Sequence, residues 1–148
     1  MFLANYSDGL ADVNLTQMIE TFRRSGKIAC FVAVRPSFSL HLVDMAGNGK
    51  VDRIRPSQDA NLWINGGFFV FRREVFDYMR DGEELVEAPF QRLIDADQLM
   101  AFRHEGFWRP MDTLKDKQVL EDLVEQGNMP WRVGNEPGSS ALRVRRAV

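Results

Sequence analysis

Apolar residues along this chain alternate between helical and strand-like spacings. Residues 1–6 form an apolar run with no polar lead-in, which predicts a strand broken by Ser7-Asp8-Gly9. Leu15, Met18, Ile19 and Phe22 then fall at i, i+3, i+4, i+7, the signature of one helix face. Asn14 stands where an N-cap is needed and Ser25-Gly26-Lys27 where a helix stops. A β-branched and aromatic run over 28–34 predicts the next strand, ended by Arg35-Pro36. Leu40, Leu42 and Val43 predict another, turned by Ala46-Gly47-Asn48-Gly49-Lys50 into a return strand over 51–55. Residues 56–60 read as polar loop.

The second half continues the alternation. A strand over 62–71 precedes a short helix over 72–79 and a second helix from about Glu87, with Phe90, Leu93 and Ile94 pointing inward. A strand over 98–104 follows. The last helix, 114–126, is expected to bury Leu114, Val119 or Leu120, and Leu123, capped by Asp112 or Thr113. The pattern predicts an α/β domain over 1–134 with a hairpin inserted after Arg35. Residues 135–148 have little periodicity and read as a loose tail.

The strand over 62–71 is the expected centre of the sheet, because a continuous apolar run suits a strand buried on both faces. Asn65-Gly66-Gly67 interrupts it. Two glycines in a buried strand imply a close approach to the backbone, either a ligand lying over the strand or a β-bulge.

Composition narrows the function classes. With 148 residues, 45% hydrophobic and 27% charged, the chain is ordinary for one domain. A net charge of −2 offers no global basic field for nucleic acid. No apolar run approaches a membrane span and the N-terminus lacks signal-peptide character, so a cytoplasmic protein is expected. The single cysteine, Cys30, sits in a strand as a small hydrophobe rather than a nucleophile.

Candidate chemistry concentrates in carboxylates at strand ends, where open α/β sheets meet ligands. Asp8 suits a divalent cation that keeps most of its waters, or else an Asx-turn. Asp112 is either a second ligand to the same ion or a helix cap. Arg55 and Arg109 are candidate phosphate ligands or solvated surface arginines. His41 and His104 lack metal-pair spacing and read as structural. Trp63, Phe107, Trp108 and Trp131 are core aromatics or stacking platforms. Neither glycine-rich phosphate-loop pattern occurs in the chain.

Three motifs in order, Tyr6-Ser7-Asp8-Gly9-Leu10-Ala11-Asp12, Ile64-Asn65-Gly66-Gly67-Phe68-Phe69 and Gly106-Phe107-Trp108-Arg109-Pro110-Met111-Asp112-Thr113-Leu114, resemble the sugar-phosphate nucleotidyltransferases. The resemblance is closest to the cytidylyltransferases that use glucose 1-phosphate, and it covers about residues 2–133. It implies condensation of a sugar 1-phosphate with a nucleoside triphosphate, CTP being favoured, with release of pyrophosphate. It also implies that Asp8 and Asp112 hold Mg²⁺, that Asn65, Gly66 and Gly67 approach the sugar, and that Trp108 lies at the substrate. Ile54-Arg55-Pro56 stands where the family has Glu-Lys-Pro, so Arg55 keeps the charge with a different reach. On this resemblance the fold is the C-terminal part of a Rossmann-like mixed sheet, without the glycine-rich nucleotide loop that precedes it in the family. Such a chain is expected to be catalytically inactive alone, or to serve as a binding or assembly module, and to self-associate through an unpaired edge at residues 2–6.

Overall fold

A computed structural model describes residues 1–36, 41–57 and 60–132. Leu40, the polar positions Gln58 and Asp59, and the tail over 135–148 lie outside the described residues. The elements are β1 (Phe2–Asn5), β2 (Gly9–Ala11), α1 (Leu15–Ser25), β3 (Ala29–Val34), β4 (His41–Met45), β5 (Val51–Pro56), β6 (Ile64–Phe71), a 3₁₀ helix (Arg73–Tyr78), α2 (Ala88–Asp95), β7 (Leu99–His104), β8 (Trp108–Pro110) and α3 (Leu114–Glu125). The main sheet runs β1-β6-β3-β7, while β2 pairs with β8 and β4 with β5 as separate two-stranded sheets. Among the described strands only β3 and β7 are parallel. The fold is therefore mixed α/β, as the alternation of periods predicts.

Strand alternation divides the apolar residues between two layers. Cys30, Val32 and Val34 of β3 join Val70 of β6 beneath Met18 and Phe22 of α1, both of which are fully buried. Ala29, Phe69 and Phe71 face the other way, against Val75 of the 3₁₀ helix and Phe90 and Leu93 of α2. Asn14 caps α1 by accepting the Gln17 amide, and Gly26 ends it in the left-handed region at φ 68°. Burial pushes the Cys30 thiol up to about 12, which keeps it protonated and inert.

Three sequence expectations change. Ile94 points outward, because Pro89, Phe90 and Leu93 are the buried residues of α2. Leu114 is 86% exposed at the first turn of α3, whose only fully buried residue is Leu120. The helix after β6 is a 3₁₀ helix rather than an α-helix, and Leu62 and Trp63 precede β6 instead of beginning it.

The Asn-Gly-Gly interruption is a bulge. Phe31 of β3 lies opposite Phe69, yet Ala33, two residues on, lies opposite Asn65, four residues back. Gly66 is pressed against β3, where an added Cβ would stand 3.0 Å from Val34 Cγ1 and 3.2 Å from the Val32 carbonyl. Gly67 adopts φ 76° with Tyr6 against it, an added Cβ falling 2.8 Å from the Tyr6 ring. Neighbouring strands thus account for both glycines. We predict that Gly67→Ala destabilises the domain by about 3 kcal/mol in urea unfolding, the sum of a left-handed φ penalty and displacement of Tyr6. A loss under about 0.5 kcal/mol, the range of neutral surface changes, would contradict this account of the bulge.

Candidate active site

The strands β2 and β8 bring the segments next to the two candidate aspartates side by side. Antiparallel register sets Gly9 opposite Pro110, Leu10 opposite Arg109 and Ala11 opposite Trp108. Extended one step, it places Asp8 opposite Met111, whose amide donates to the Asp8 carbonyl at 2.8 Å. Asp112 is the next residue. Gly9-Leu10-Ala11 carries too short a pattern to read as a strand, so this pairing, which assembles the site, was not visible in the sequence.

Both carboxylates are exposed, and neither has a hydrogen bond or ion pair among the described residues. Helix α3 explains why Asp112 is free. Its N-cap is Thr113, whose hydroxyl accepts the Asp116 amide at 3.1 Å while the Asp116 carboxylate takes the Thr113 amide at 3.2 Å, a reciprocal capping box. The capping alternative for Asp112 therefore falls to its neighbour. Asp8, likewise, makes no side-chain turn. No group of three or more His, Cys, Asp or Glu side chains is gathered among the described residues. Two carboxylates on an open rim suit Mg²⁺, which takes one or two carboxylates and keeps its waters.

The pair is tied to the main sheet by Trp108 and by His104. The Trp108 indole N–H donates to the Gly66 carbonyl at 2.8 Å, using an acceptor at the bulge. His104 Nε2, in a largely buried ring, lies 2.9 Å from Asp12 Oδ1 and 3.1 Å from the Phe107 carbonyl. The Asp12 amide donates to that same carbonyl at 3.1 Å. Gly106 is needed there, since any Cβ would run into Asp12 and into the His104 ring. His104 is structural, as expected, though its partner Asp12 is visible only in the fold.

The other candidates separate. Asn65 Oδ1 accepts the Gly67 amide at 2.9 Å and its side chain also bonds Tyr6. Burial first, then the charge of Glu84, raises the Tyr6 hydroxyl above its ordinary value, partly opposed by the Asn65 bond. Arg55 stands on the β4–β5 hairpin, its Nε 3.6 Å from Asp44 and buried without a hydrogen-bond partner among the described residues. Arg109 Nη1 is 3.8 Å from Asp116 and so leans on the cap of α3. His41 opens β4 opposite Pro56, on that same hairpin. Phe107 and Trp131 pack together at 5.6 Å.

Two cavities open at the carboxyl end of the parallel β3–β7 pair, one on each face. One, of about 500 Å³, is lined by Val34, Arg35, His104, Glu105, Gly106 and Trp108. The other, of about 420 Å³, includes Asn65, Trp63, Ala33, Ala101 and Arg103. Arg35 and Arg103 were not singled out from sequence; the signal for them is their place at the ends of two strands that run side by side.

No protein-family model matches the chain. Over 133 residues it is 39% identical to glucose-1-phosphate cytidylyltransferase of Salmonella typhimurium, a match covering 88% of this chain and 51% of that protein. By sequence the chain is similar to about half of a sugar-phosphate nucleotidyltransferase. The Salmonella typhi protein of the same name matches with the same identity and coverage. A Bacillus anthracis structure, described as a glucose-1-phosphate thymidylyltransferase in complex with sucrose, shares the fold at a TM-score of 0.57 and 12% identity, over 82% of this chain and 53% of that one. The chain thus spans about half the length of the nucleotidyltransferases it matches.

The free Asp112 and the capping Thr113 make opposite predictions for stability. Thr113→Ala should cost about 1 kcal/mol by loss of the cap. Asp112→Ala should change stability by less than about 0.5 kcal/mol, the range of an unengaged surface residue. Chemical denaturation of both variants checks this, and a larger loss in Asp112→Ala would return that residue to a structural role.

Proposed function

We propose that this chain is the sugar-phosphate and Mg²⁺ binding portion of a glucose-1-phosphate cytidylyltransferase-like enzyme. The observation that supports the reading is the register of β2 against β8, which brings the backbone segments of Asp8 and Asp112 together, with both carboxylates unengaged among the described residues. Their freedom from capping and ion pairs is what a cation site requires. Mg²⁺ held by this pair supplies neutralisation of the phosphate charge that builds up in nucleotidyl transfer.

The protein's own residues supply positioning. Trp108 holds β8, and so Asp112, against the bulge through Gly66. Asn65, fixed by the Gly67 amide and Tyr6, presents amide donors at the sugar. Arg55, whose Nε lies 3.6 Å from Asp44 but has no hydrogen-bond partner among the described residues, offers a donor suited to the sugar phosphate. The whole reaction joins a phosphate oxygen of glucose 1-phosphate to the α-phosphorus of CTP in line, breaking the bond to the leaving pyrophosphate. Catalysis in such a step is mostly orientation and charge stabilisation. With no glycine-rich loop in its sequence to cradle a triphosphate, this chain alone binds the sugar phosphate without turning it over.

The same reading places the protein in the cytoplasm, where nucleoside triphosphates are available; no helix among the described residues is long and apolar enough to cross a membrane. It also predicts a homo-oligomer. Strand β1 pairs only with β6 among the described residues and exposes Met1, Phe2 and Leu3 along its edge. Leu3→Lys should shift the chain toward monomer in sedimentation velocity, and a wild-type chain that is monomeric at high concentration would refute the edge contact.

Calorimetric titration of glucose 1-phosphate in the presence of Mg²⁺ tests the site. Binding should be lost in Asp8→Ala and in Asp112→Ala while both variants stay folded. Mg²⁺ alone at ~100 times its dissociation constant should stabilise the wild type by about 2.7 kcal/mol. Binding that survives both substitutions would overturn the assignment.

A further inference from the structure

His104 is the last residue of β7 and lies in parallel register with Val34 of β3, so its ring stands on the main sheet. Its Nε2 sits between two oxygens, 3.1 Å from the Phe107 carbonyl and 2.9 Å from Asp12 Oδ1. A carbonyl and a carboxylate only accept, so a bare ring nitrogen there would face lone pairs on both sides. The tautomer follows from the acceptors: Nε2 carries a hydrogen. That hydrogen goes to the Phe107 carbonyl, while Asp12 Oδ1, shut off from solvent, lies beside it without an aligned hydrogen bond among the described residues.

The Phe107 carbonyl also accepts the Asp12 amide at 3.1 Å. Both of its lone pairs are then in use, one toward the main sheet and one toward the segment after β2. The Asp12–Phe107 rung continues the β2–β8 register one step beyond Ala11 and Trp108. At the opposite end the Met111 amide continues it by donating to the Asp8 carbonyl at 2.8 Å. The imidazole therefore stands at one end of a single ladder, and the segments of Asp8 and Asp112 stand at the other.

A ribbon of two three-residue strands is marginal in water by itself and has to be held from outside. The Asp8 side has its own tie, since the Tyr6 amide donates to the Gly67 carbonyl at 2.8 Å. The Asp112 side is placed by β8, which is fixed near its start by the Trp108 indole on the Gly66 carbonyl and by His104 on Phe107. Gly106 shows how closely that start is fitted, because a Cβ there would run into both Asp12 Oδ1 and the His104 ring. The His104 side chain is only 11% exposed, and a polar contact withdrawn from water in this way is stronger than one at the surface.

We propose that His104 is a positioning residue for the Asp8 and Asp112 site: its Nε2–H holds the Phe107–Asp12 end of the ladder shut, and the register at the Asp8–Met111 end depends on that clamp. The imidazole touches neither substrate nor metal. Its functional consequence rests on the cation reading proposed above, while the clamp itself needs no ligand. When the clamped end opens, β8 frays from β2 and Asp112 loses its place relative to Asp8. Only the closed fraction of the chain then presents both aspartates, and the apparent cation affinity falls by that fraction.

Two readouts on the full chain test it together: Mn²⁺ affinity, from the electron paramagnetic resonance of the free ion, and hydrogen exchange of the Met111 amide. His104→Ala should weaken Mn²⁺ binding by about fivefold or more and speed Met111 exchange by a similar factor, as loss of one buried hydrogen bond requires. His104→Gln, whose amide N–H can stand where Nε2 stood, should bring both back to within about twofold of the wild type. Gly106→Ala keeps both partners but drives a methyl group between them, and should reproduce the losses of His104→Ala even if that variant does not fold. A merely structural role would lower the denaturation midpoint and leave the Mn²⁺ affinity of the folded chain intact. Wild-type Mn²⁺ affinity in folded His104→Ala and Gly106→Ala, or a loss in His104→Gln as large as in His104→Ala, would overturn the proposal. Faster Met111 exchange in His104→Ala with no Mn²⁺ bound by the wild type would instead bear out the clamp and overturn the cation reading.

Discussion

The close approach of three backbones at Gly66 and Gly67 is the constraint on which the rest of this structure depends. Tyr6 and the valines of β3 press on the bulge from two sides, leaving no room for a Cβ at either residue. The bulge takes β6 out of simple register with β3, and the Gly66 carbonyl accepts the indole N–H of Trp108. That bond, with the His104–Asp12 contact, connects the main sheet to the separate β2–β8 pair. A bulge here is a device that re-aims a backbone group, as bulges near active sites commonly do.

From that anchor the candidate site follows. Trp108 fixes β8, β8 fixes β2 by register, and the register sets Asp8 across from the residue before Asp112. The capping box of α3 matters as much as the strands, because Thr113 and Asp116 satisfy the helix start between them and leave Asp112 without a structural task. The buried contact of His104 with Asp12, made possible by Gly106, ties the β7–β8 turn to the segment that follows β2. Positioning is thus distributed over several ordinary packing and hydrogen-bond interactions, while the two aspartate side chains themselves carry none among the described residues.

Most of the fold was legible because its core elements are strongly periodic. Met18 and Phe22 repeat at helical spacing and fully bury, and Asn14 and Gly26 mark the ends of α1 as their chemistry requires. Element ends were less legible. Leu114 has the identity of a core residue but sits at the first turn of α3, beyond the contact with the sheet, and Ile94 lies past the edge of the buried stripe of α2. The β2–β8 pair was hidden, since two three-residue strands hold too few positions to show any period. The choice between caps and ligands for Asp8 and Asp112 could not be made from spacing, because Asp and Thr are both good caps and only the fold shows which one the helix uses. Arg35, Trp63 and Arg103 come from three distant segments, and no local pattern joins them.

The central claim is that Asp8 and Asp112 form one cation site, and paramagnetic broadening by Mn²⁺ in place of Mg²⁺ reads this most directly. In an amide correlation spectrum of the full chain, sub-stoichiometric Mn²⁺ should broaden first the signals of Asp8, Gly9, Met111 and Asp112, and Asp8→Ala should abolish the effect at Met111 as well as at its own segment. Broadening that begins elsewhere, or that affects the Asp8 and Asp112 segments independently of each other, would contradict a shared site.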